Sequence, residues 1–395
     1  MTIELIIPVA GNTECQSPAQ LPAVTSDNAM VRDPLVLDFL QALSRALLGQ
    51  PGNKAFPELV ALGFWLRPAQ LEQMLDASAS GLRKPLGLVV HYTPANVDTM
   101  FVYSWVCALL MGNRNIVRLS QAASLAKQAL LDTLSSLLQQ PQWQPVALAN
   151  QFIFYDKQDA HTGEALSMLA DGRVIWGGDD SVRQIRSLPQ RPRCRDISFA
   201  DRYSVSVIHG DTLTSDNLLS LSQALWRDLA PYQQQACSSP RIVYWLGDTE
   251  LQQRLFEQVE QLAAAEARPA NQTNEQLVFS QWLQASGSAD RPLTSGALWV
   301  LPTTRADAII DEHPGYHIVL LQELAELSDL AGLLRDKVQT ISYAGIDKPD
   351  WIKFMQAPSI NGVERIVPLG QALTFTPVWD GYDLFSELSR RVTVA

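Results

Sequence analysis

The feature of this sequence that most limits its fold is a regular alternation of short apolar strands with helices, which begins near residue 85. Four strand-like segments, each followed by a helix-like segment, read LGLVVH, NIVRLS, FIFY and RVIWGG. Strands that alternate with helices in this way form βαβ units and a parallel sheet covered on both faces. A second alternation starts at RIVYWLG and includes VQTISYAG. The sequence therefore predicts an α/β protein with two sheet domains.

The residues before this alternation have a different pattern. The opening MTIELIIPVAG is expected to be a first strand, because its apolar run is short and it lacks the basic start of a signal peptide. Asp33 and Pro34 mark the start of one helix and Gly49 marks its end, while Pro68 begins another helix. Residues 1–84 are therefore predicted to be a mainly helical region.

Composition excludes several classes of function. The formal net charge of −11 and the absence of a basic stripe argue against a nucleic-acid partner. No stretch approaches the roughly 20 apolar residues that span a bilayer, so no transmembrane segment is expected. The four cysteines and five histidines are scattered without metal-ligand spacing. We expect no metal site, and the cysteine pattern indicates a reducing cytoplasm.

The turn after the first of the four strands reads HYTPANVDTM. Pro94 fixes the backbone there, and Asn96 precedes the next helix. An asparagine carboxamide offers two N–H donors, which can stabilise an oxyanion. Asparagine is also among the best helix N-caps, so this turn by itself leaves both roles open.

Two further strand-end turns carry residues suited to a nucleotide. Arg118 ends a strand and Ser120 opens a turn, and an arginine fork pairs well with phosphate. Taken by itself, this turn favours the alternative that Arg118 lies on the surface with its charge in solvent. Trp176, Gly177 and Gly178 precede a helix, where glycines allow a pyrophosphate to approach backbone N–H groups.

Cys237 lies in PYQQQACSSPRIVYW, between three glutamines and two serines just before an apolar segment. A cysteine used only for packing normally has apolar neighbours, so this setting favours a presented thiol over a buried one. Cys15, Cys107 and Cys194 are expected to be structural. The residues alone leave a structural role open for Cys237 as well.

Taken in order, these motifs resemble the aldehyde dehydrogenase superfamily. The matching segments are Pro94-Ala95-Asn96, Gly112-Asn113 through Arg118, Trp176-Gly177-Gly178, and the glutamine run that ends at Cys237. A closer resemblance is to the LuxC-type acyl-CoA reductases, in GNRNIVRLS, WGGDD, DRYSV, QQQACSSPRIVYW and RIVPLGQALTFTPVWDGYD. The resemblance covers roughly residue 85 to the C-terminus.

The resemblance implies a fold and a division of the chain. The expected fold is aldehyde-dehydrogenase-like, with a Rossmann-type cofactor domain, a second α/β catalytic domain and an N-terminal helical region. Residues 85–230 would bind a nicotinamide dinucleotide, residues 231–355 would carry the nucleophilic cysteine, and residues 356–395 would be an extended segment at the domain interface. A homo-oligomer is also implied.

The resemblance further implies reduction of an acyl-CoA, expected to be fatty acyl, to an aldehyde through an S-acyl intermediate on Cys237. Asn96 would stabilise the oxyanion. The cofactor-binding residues would be Pro94, Arg118, Ser120, Trp176, Gly177 and Gly178. Arg118 favours NADPH over NADH, because arginine suits a 2′-phosphate. No metal is required, and an acyl-activating enzyme is a candidate partner.

The absence of glutamate from one part of the chain supports reduction over hydrolysis. Between Glu164 and Glu250 the chain contains no glutamate, so the segment before Cys237 offers none to activate water. Transfer of an acyl group between thiols needs no such base. Two alternatives remain: a cysteine-dependent acyltransferase or thioesterase, and a non-catalytic subunit that handles acyl groups within a fatty-acid reductase complex.

Overall fold

The computed structural model describes residues 2–9, 11–78, 81–94, 97, 99–122, 124–266 and 270–394. Its strands, in chain order, are β1 (Ile3–Val9), β2 (Asn12–Cys15), β3 (Leu82–Pro85), β4 (Leu88–Tyr92), β5 (Arg114–Arg118), β6 (Asn150–Phe154), β7 (Gly172–Trp176), β8 (Arg195–Phe199), β9 (Tyr203–His209), β10 (Pro240–Leu246), β11 (Thr294–Ser295), β12 (Trp299–Pro302), β13 (Ile318–Leu324), β14 (Val338–Ala344), β15 (Arg365–Pro368), β16 (Val378–Trp379), β17 (Tyr382–Asp383) and β18 (Ser389–Val392).

The α-helices, again in chain order, are α1 (Pro22–Thr25), α2 (Pro34–Gly49), α3 (Pro57–Trp65), α4 (Pro68–Ser78), α5 (Met100–Leu110), α6 (Leu125–Leu138), α7 (Gln144–Ala149), α8 (Ala160–Leu169), α9 (Asp179–Arg186), α10 (Leu218–Leu229), α11 (Gln252–Ala264), α12 (Ala270–Ala285), α13 (Ala306–Ile309), α14 (Lys348–Met355) and α15 (Leu384–Glu387). Within the ranges described above, no helix is both long enough and apolar enough to cross a bilayer.

The chain divides into two compact units. The first comprises Met1–Ala200 and Phe375–Ala395, and the second is Asp201–Thr374. The strands of the first unit's main sheet lie in the order β2-β1-β6-β5-β4-β7-β8. β1 pairs antiparallel with β2 and β6, whereas β6, β5, β4, β7 and β8 are parallel. Every residue of β4 and β7 is buried, as expected for central strands covered on both faces.

Successive side chains along each strand point to opposite faces of the sheet and pack into two apolar clusters. Val89 and Val174 join the cluster that contains α2, α3 and α5, whereas Val90 and Ile175 join the cluster on the opposite face of the sheet. α2 begins where the sequence predicts: the carboxylate of Asp33 accepts a hydrogen bond from the Leu35 backbone N–H. The N-terminal helices therefore form part of the first unit's core.

The second unit is built on another sheet, in the order β11-β12-β13-β10-β9-β14-β15. Apart from β11, its strands pair in parallel. Tyr203, Val205 and Val207 of β9 face one apolar cluster, while Ile208 faces the other. Both units are therefore α/β structures with mostly parallel sheets, as the strand and helix alternation predicts.

The compact units do not coincide with the four regions expected from the sequence. β9 and α10 belong to the second unit, although the sequence placed residues up to 230 in the first sheet domain. The N-terminal region also supplies β1 and β2 to the first sheet. The C-terminal segment is divided at residue 374, and β18 pairs with β3 inside the first unit. Strand pairing between residues distant in sequence produces these differences.

Candidate functional site

The first sheet brings three of the candidate turns to one edge. β4 lies between β5 and β7 and is parallel to both, so the turns after these three strands leave the sheet on the same side. From β4 the chain goes to β5 and β6 in one direction, and then returns to β7 and β8 on the other side of β4. Open parallel sheets bind ligands outside the carboxyl ends of strands where the connections reverse in this way.

A direct contact joins the turn after β4 to the end of β5. The backbone N–H and the hydroxyl of Thr93 both donate to the carbonyl of Arg118, at 3.3 and 2.9 Å. Pro94 follows at once, so its turn starts beside Arg118. Asn96, the predicted oxyanion donor, lies outside the described residues.

The side chain of Arg118 is half-buried against Tyr155. Its guanidinium carbon lies 5.2 Å from the centre of the tyrosine ring, and Nη2 donates to the Tyr155 carbonyl at 3.4 Å. Nε is buried and has no hydrogen-bond partner among the described residues. Arg118 is therefore held at the sheet edge with hydrogen-bonding capacity still available.

Ser120 lies in a turn that a buried lysine holds. Lys127 is 8% exposed, and its Nζ donates to the carbonyl of Ser120 at 3.1 Å and to that of Ala122. The side chain of Ser124 caps α6 by accepting from the Lys127 backbone N–H. The role of Lys127 could not be predicted from the sequence, because nothing in its local sequence shows that its ammonium group returns to this turn.

Gly177 and Gly178 follow β7 and lead into α9. Gly178 is the N-cap, with φ −63° and ψ 161°, and a methyl group at its Cα would meet no other atom within 4 Å. The backbone before the first turn of α9 is therefore uncrowded, which suits the approach of an anionic group to helix N–H groups. Asp180 on the first turn pairs with Arg183 at 2.5 Å, and both side chains are largely exposed.

Trp176 has a packing role. Its indole stacks on Phe199, with ring centres 3.7 Å apart, and Nε1 donates to the hydroxyl of Ser104 at 3.3 Å. The same hydroxyl lies 3.2 Å from Nδ1 of His91, whose Nε2 lies 3.1 Å from Oδ1 of Asn115. The indole therefore belongs to this buried network, and the binding of a cofactor at Trp176 stays a prediction.

The Gly112-Asn113 motif also has a structural explanation. Asn113 is buried, donates to the carbonyls of Ala108 and Leu388, and accepts from the backbone N–H of Gly87. It thereby fixes the end of α5, the start of β4 and the C-terminal segment of the first unit. Gly112 has a φ of +79°, in the left-handed region that favours glycine.

Cys237 lies in the second unit, in a turn just before β10. Cys237 is half-buried, and its carbonyl accepts a hydrogen bond of 2.7 Å from the hydroxyl of Ser204 on β9. The Ser204 hydroxyl in turn accepts from the backbone N–H of Thr340 on β14. Ser204 therefore ties the turn that carries Cys237 to two neighbouring strands.

The backbone before Cys237 is strained. Tyr232, Gln233 and Gln234 have φ values of 54°, 54° and 63°, a conformation unfavourable for residues with a Cβ. The side chain of Gln234 is fully buried. It donates to the carbonyls of Pro240 and Ile318 at 2.7 Å and accepts from the Ile318 N–H at 2.9 Å. Such strain persists only where the surroundings fix it, and is common at functional sites.

The other three cysteines lie in less reactive settings. Burial raises the pKa of Cys15, raises that of the fully buried Cys107, and raises that of Cys194 to about 11. Because the thiolate is the nucleophilic form, these thiols are poor candidates. Among the described residues, no three metal-ligating side chains cluster in a way that could hold a metal ion.

The second unit also has a cavity of about 890 Å³ at the carboxyl ends of its strands, lined by His209, Leu246 and Gly345 among others. Cys237 lies at the opposite, amino edge of that sheet, because it precedes β10. The predicted nucleophile is therefore not at the sheet edge where the general rule for parallel sheets would place a ligand.

Sequence comparison decides the family. Residues 67–391 match the family model described as acyl-CoA reductase (LuxC). The chain belongs to the LuxC acyl-CoA reductase family. This assignment confirms the resemblance drawn from the motifs.

Curated LuxC relatives match most of this chain but less of their own length. The long-chain acyl-protein thioester reductase of Aliivibrio fischeri is 22% identical over 312 residues, which cover 77% of this chain and 62% of that protein. Long-chain acyl-protein thioester reductase 2 of Photobacterium leiognathi is 23% identical, and the match covers 78% of this chain and 63% of the relative. This LuxC chain therefore spans less than two thirds of the length of these relatives.

Solved structures show the fold of this LuxC chain. The glyceraldehyde-3-phosphate dehydrogenase GapN of Methanocaldococcus jannaschii, complexed with NADP, aligns with a TM-score of 0.66 and 12% identity, covering 98% of this chain and 97% of that one. An NAD-dependent benzaldehyde dehydrogenase of Corynebacterium glutamicum also gives a TM-score of 0.66 at 12% identity, covering 98% and 92%. The predicted aldehyde-dehydrogenase-like fold is confirmed.

Proposed function

We propose that this protein reduces an acyl thioester, with a fatty acyl group as the favoured substrate, to the aldehyde through an S-acyl intermediate on Cys237. The observation that carries the proposal is the setting of Cys237. It is half-buried, follows a strained backbone segment, and lies in a turn that Ser204 and Gln234 hold rigidly in place. The family membership and the names of the relatives support the same chemistry.

The reaction proposed at Cys237 does not consume water. The thiolate attacks the thioester carbonyl, the carbon–sulfur bond to the donor breaks, and the donor thiol leaves as a thiolate. Collapse of the reduced, thiohemiacetal form breaks the bond to Sγ, releases the aldehyde and restores the Cys237 thiolate. Backbone N–H groups at Cys237 and, by resemblance, the carboxamide of Asn96 stabilise the oxyanion.

The first unit offers residues that fit a nicotinamide dinucleotide. Arg118 has a buried Nε with no partner among the described residues, and Gly178 leaves open space before α9. Pro94, Ser120 and the backbone at Gly177 would complete the binding edge. The cofactor supplies a hydride when bound. We infer that it is NADPH, because the Arg118 guanidinium can pair with a 2′-phosphate.

The first test compares Cys237→Ser with the matched control Cys194→Ser. Both are supplied with NADPH and acyl donors that include acyl-CoA of several chain lengths and an acylated protein, while NADPH absorbance and trapped aldehyde are followed. We expect Cys237→Ser to lose at least ~10³-fold in rate, because the nucleophile is removed, and Cys194→Ser to keep the wild-type rate.

Other outcomes separate the alternatives. If wild-type protein becomes acylated at Cys237 but forms only free acid or a transferred acyl group, whether or not NADPH is present, the chain is a thioesterase or acyltransferase. If Cys237→Ser supports the same aldehyde output as wild type, Cys237 is not the nucleophile. Either result contradicts the proposal.

The NADPH preference has its own test. In Arg118→Gln we expect KM for NADPH to rise about tenfold while KM for NADH changes little, because only NADPH carries the 2′-phosphate. Equal changes for the two cofactors would show that Arg118 acts on a part they share, or on the fold.

A further inference from the structure

A second, smaller cavity lies at the amino edge of the second unit's sheet. Its volume is about 240 Å³, roughly the space of eight water molecules at ~30 Å³ each. That is below the usual size of pockets that enclose a whole organic ligand, and it suits a small group or one end of a larger molecule. Its lining consists of Asp201, Arg202, Tyr203, Arg241, Ile310, Asp311, Arg335 and Lys337.

The charge of this lining is opposite to that of the chain. Among the described residues that line the cavity, four carry positive charge and two carry carboxylates, a balance of +2 in a chain of net charge −11. Arg335 pairs with Asp311 at 2.8 Å, and Lys337 pairs with Asp201 at 3.2 Å. Arg202 pairs with Glu364.

Arg241 differs from these cations. It is half-buried at the start of β10, its Nε is buried, and among the described residues nothing accepts a hydrogen bond from it or forms an ion pair with it. A partly desolvated guanidinium without a hydrogen-bond partner carries an unfavourable free energy. The planar fork of N–H donors on arginine matches the oxygens of a phosphate, which would supply the missing partner.

Tyr203 provides a second unsatisfied donor. It is 4% exposed, and its buried hydroxyl also has no hydrogen-bond partner among the described residues. Burial raises the pKa of Tyr203 to about 12, so the phenol keeps its proton and can donate at neutral pH. A cavity whose lining offers one guanidinium and one hydroxyl without hydrogen-bond partners among the described residues is suited to an anion.

The cavity is close to Cys237 along the chain. Arg241 is four residues after Cys237, so their Cα atoms are at most about 14 Å apart. Tyr203 adjoins Ser204, whose hydroxyl holds the Cys237 carbonyl. A thioester donor built on phosphopantetheine carries a phosphate at a distance from its sulfur, and could reach both places.

We propose that this cavity binds a phosphate group of the thioester donor, with Arg241 and the hydroxyl of Tyr203 as its ligands. The proposal rests on the proposed function for the identity of the donor. Coenzyme A and a phosphopantetheine-bearing carrier protein share this phosphate, and inorganic phosphate has the same chemistry.

Binding is tested first without turnover, by calorimetric titration of inorganic phosphate into the full chain. We expect binding to wild type, loss of at least about tenfold in affinity in Arg241→Gln, and a smaller loss in Tyr203→Phe. Arg254→Gln, an exposed cation on α11, is the matched control and should bind as wild type does. Equal phosphate affinity in wild type and Arg241→Gln would overturn the proposal, whether or not the protein has reductase activity.

Kinetics then test the source of the phosphate. Acyl-CoA, acyl-phosphopantetheine and acyl-pantetheine carry the same thioester, but the last has no phosphate. We expect Arg241→Gln to raise KM about tenfold for the first two donors, with kcat and the acyl-pantetheine reaction unchanged. A different pair of results would overturn the proposal that the bound phosphate belongs to the donor: phosphate binding depends on Arg241, but KM changes equally for all three donors. The cavity would then be a site for free phosphate. If no donor yields aldehyde, the proposed function fails, while the titration still decides whether the cavity binds phosphate.

Discussion

His91 shows how one buried side chain makes stability depend on pH. It is fully buried on β4, and burial lowers its pKa to about 4 from 6.5. The unfolded chain therefore takes up a proton before the folded one does. The neutral, buried His91 therefore contributes stability that is present above pH 6.5 and is lost as the pH falls toward 4.

We expect acidification over this range to lower the free energy of unfolding of wild type by roughly 3 kcal/mol more than that of His91→Asn. Asparagine can keep hydrogen bonds to Ser104 or Asn115 but cannot take up a proton. The measurement is urea unfolding of both proteins at a series of pH values. Parallel stability curves for the two proteins would show that His91 titrates normally in the fold.

The buried pair of Arg173 and Asp196 is a second feature at the residue scale. Arg173 is fully buried on β7 and donates to both carboxylate oxygens of Asp196 on β8, at 2.7 and 2.6 Å. A third nitrogen donates to Ser167 and to the carbonyl of Ile185. No local sequence pattern predicts this role of Arg173, because its partners come from separate elements.

At the scale of elements, two glycines in the first unit have contrasting roles. Gly112 joins α5 to β5 with a φ of +79°, and a methyl group there would lie 2.4 Å from the carbonyl oxygen of Ala29. Gly178 begins α9 with an ordinary backbone conformation and open space. The two glycines thus differ in why the chain needs them.

We expect Gly112→Ala to destabilise the protein by about 2 kcal/mol or more, through backbone strain and the clash with Ala29. Gly178→Ala should change stability by less than ~1 kcal/mol, because its conformation suits any residue. Thermal unfolding of both variants measures the difference. Similar losses of stability in the two would contradict this account of the turns.

One segment of the second unit does not follow its local sequence pattern. LAELSDLAGLLRD has leucine and alanine at helical spacing, but it forms only a 3₁₀ segment at Leu327–Gly332. The Asp329 carboxylate accepts from the Glu326 N–H, and the Ser328 hydroxyl donates to the Glu326 side chain. These local side-chain bonds favour a tight turn over a longer helix.

At the scale of the whole molecule, Asp228 contributes to the second unit a response to acid opposite to that of His91. It is 1% exposed at the end of α10 and accepts from the N–H groups of Gly370 and Ala372, more than 140 residues away in sequence. Burial raises its pKa to about 6 from 3.8, although these bonds favour the charged form. Its contribution to stability is present below pH 3.8 and is lost as the pH rises through about 6.

We therefore expect acidification from pH 6.5 to 4 to lower the protection of first-unit amides less in His91→Asn than in wild type. In the second unit, burial lowers the pKa of the buried His313 well below 6.5, so His313 opposes Asp228. The contribution of Asp228 is therefore measured against Asp228→Asn, in which acidification should reduce second-unit protection more, or raise it less, than in wild type. Hydrogen exchange read by mass spectrometry, corrected for intrinsic rates, measures the two units separately in the full chain. The same pH response in a variant as in wild type would contradict the assignment for that residue.

The sequence by itself determined the α/β class, most strand positions, the start of α2 and the family, because hydrophobic periodicity, capping residues and ordered motifs are local. It also singled out Pro94, Arg118, Gly177 and Gly178, whose turns prove to lie after three neighbouring strands. Only the tertiary structure decided the unit boundaries, the packing role of Trp176, and the support of Cys237 by Ser204 and Gln234. Those features depend on strand order and on hydrogen bonds between elements distant in sequence, which no local pattern encodes.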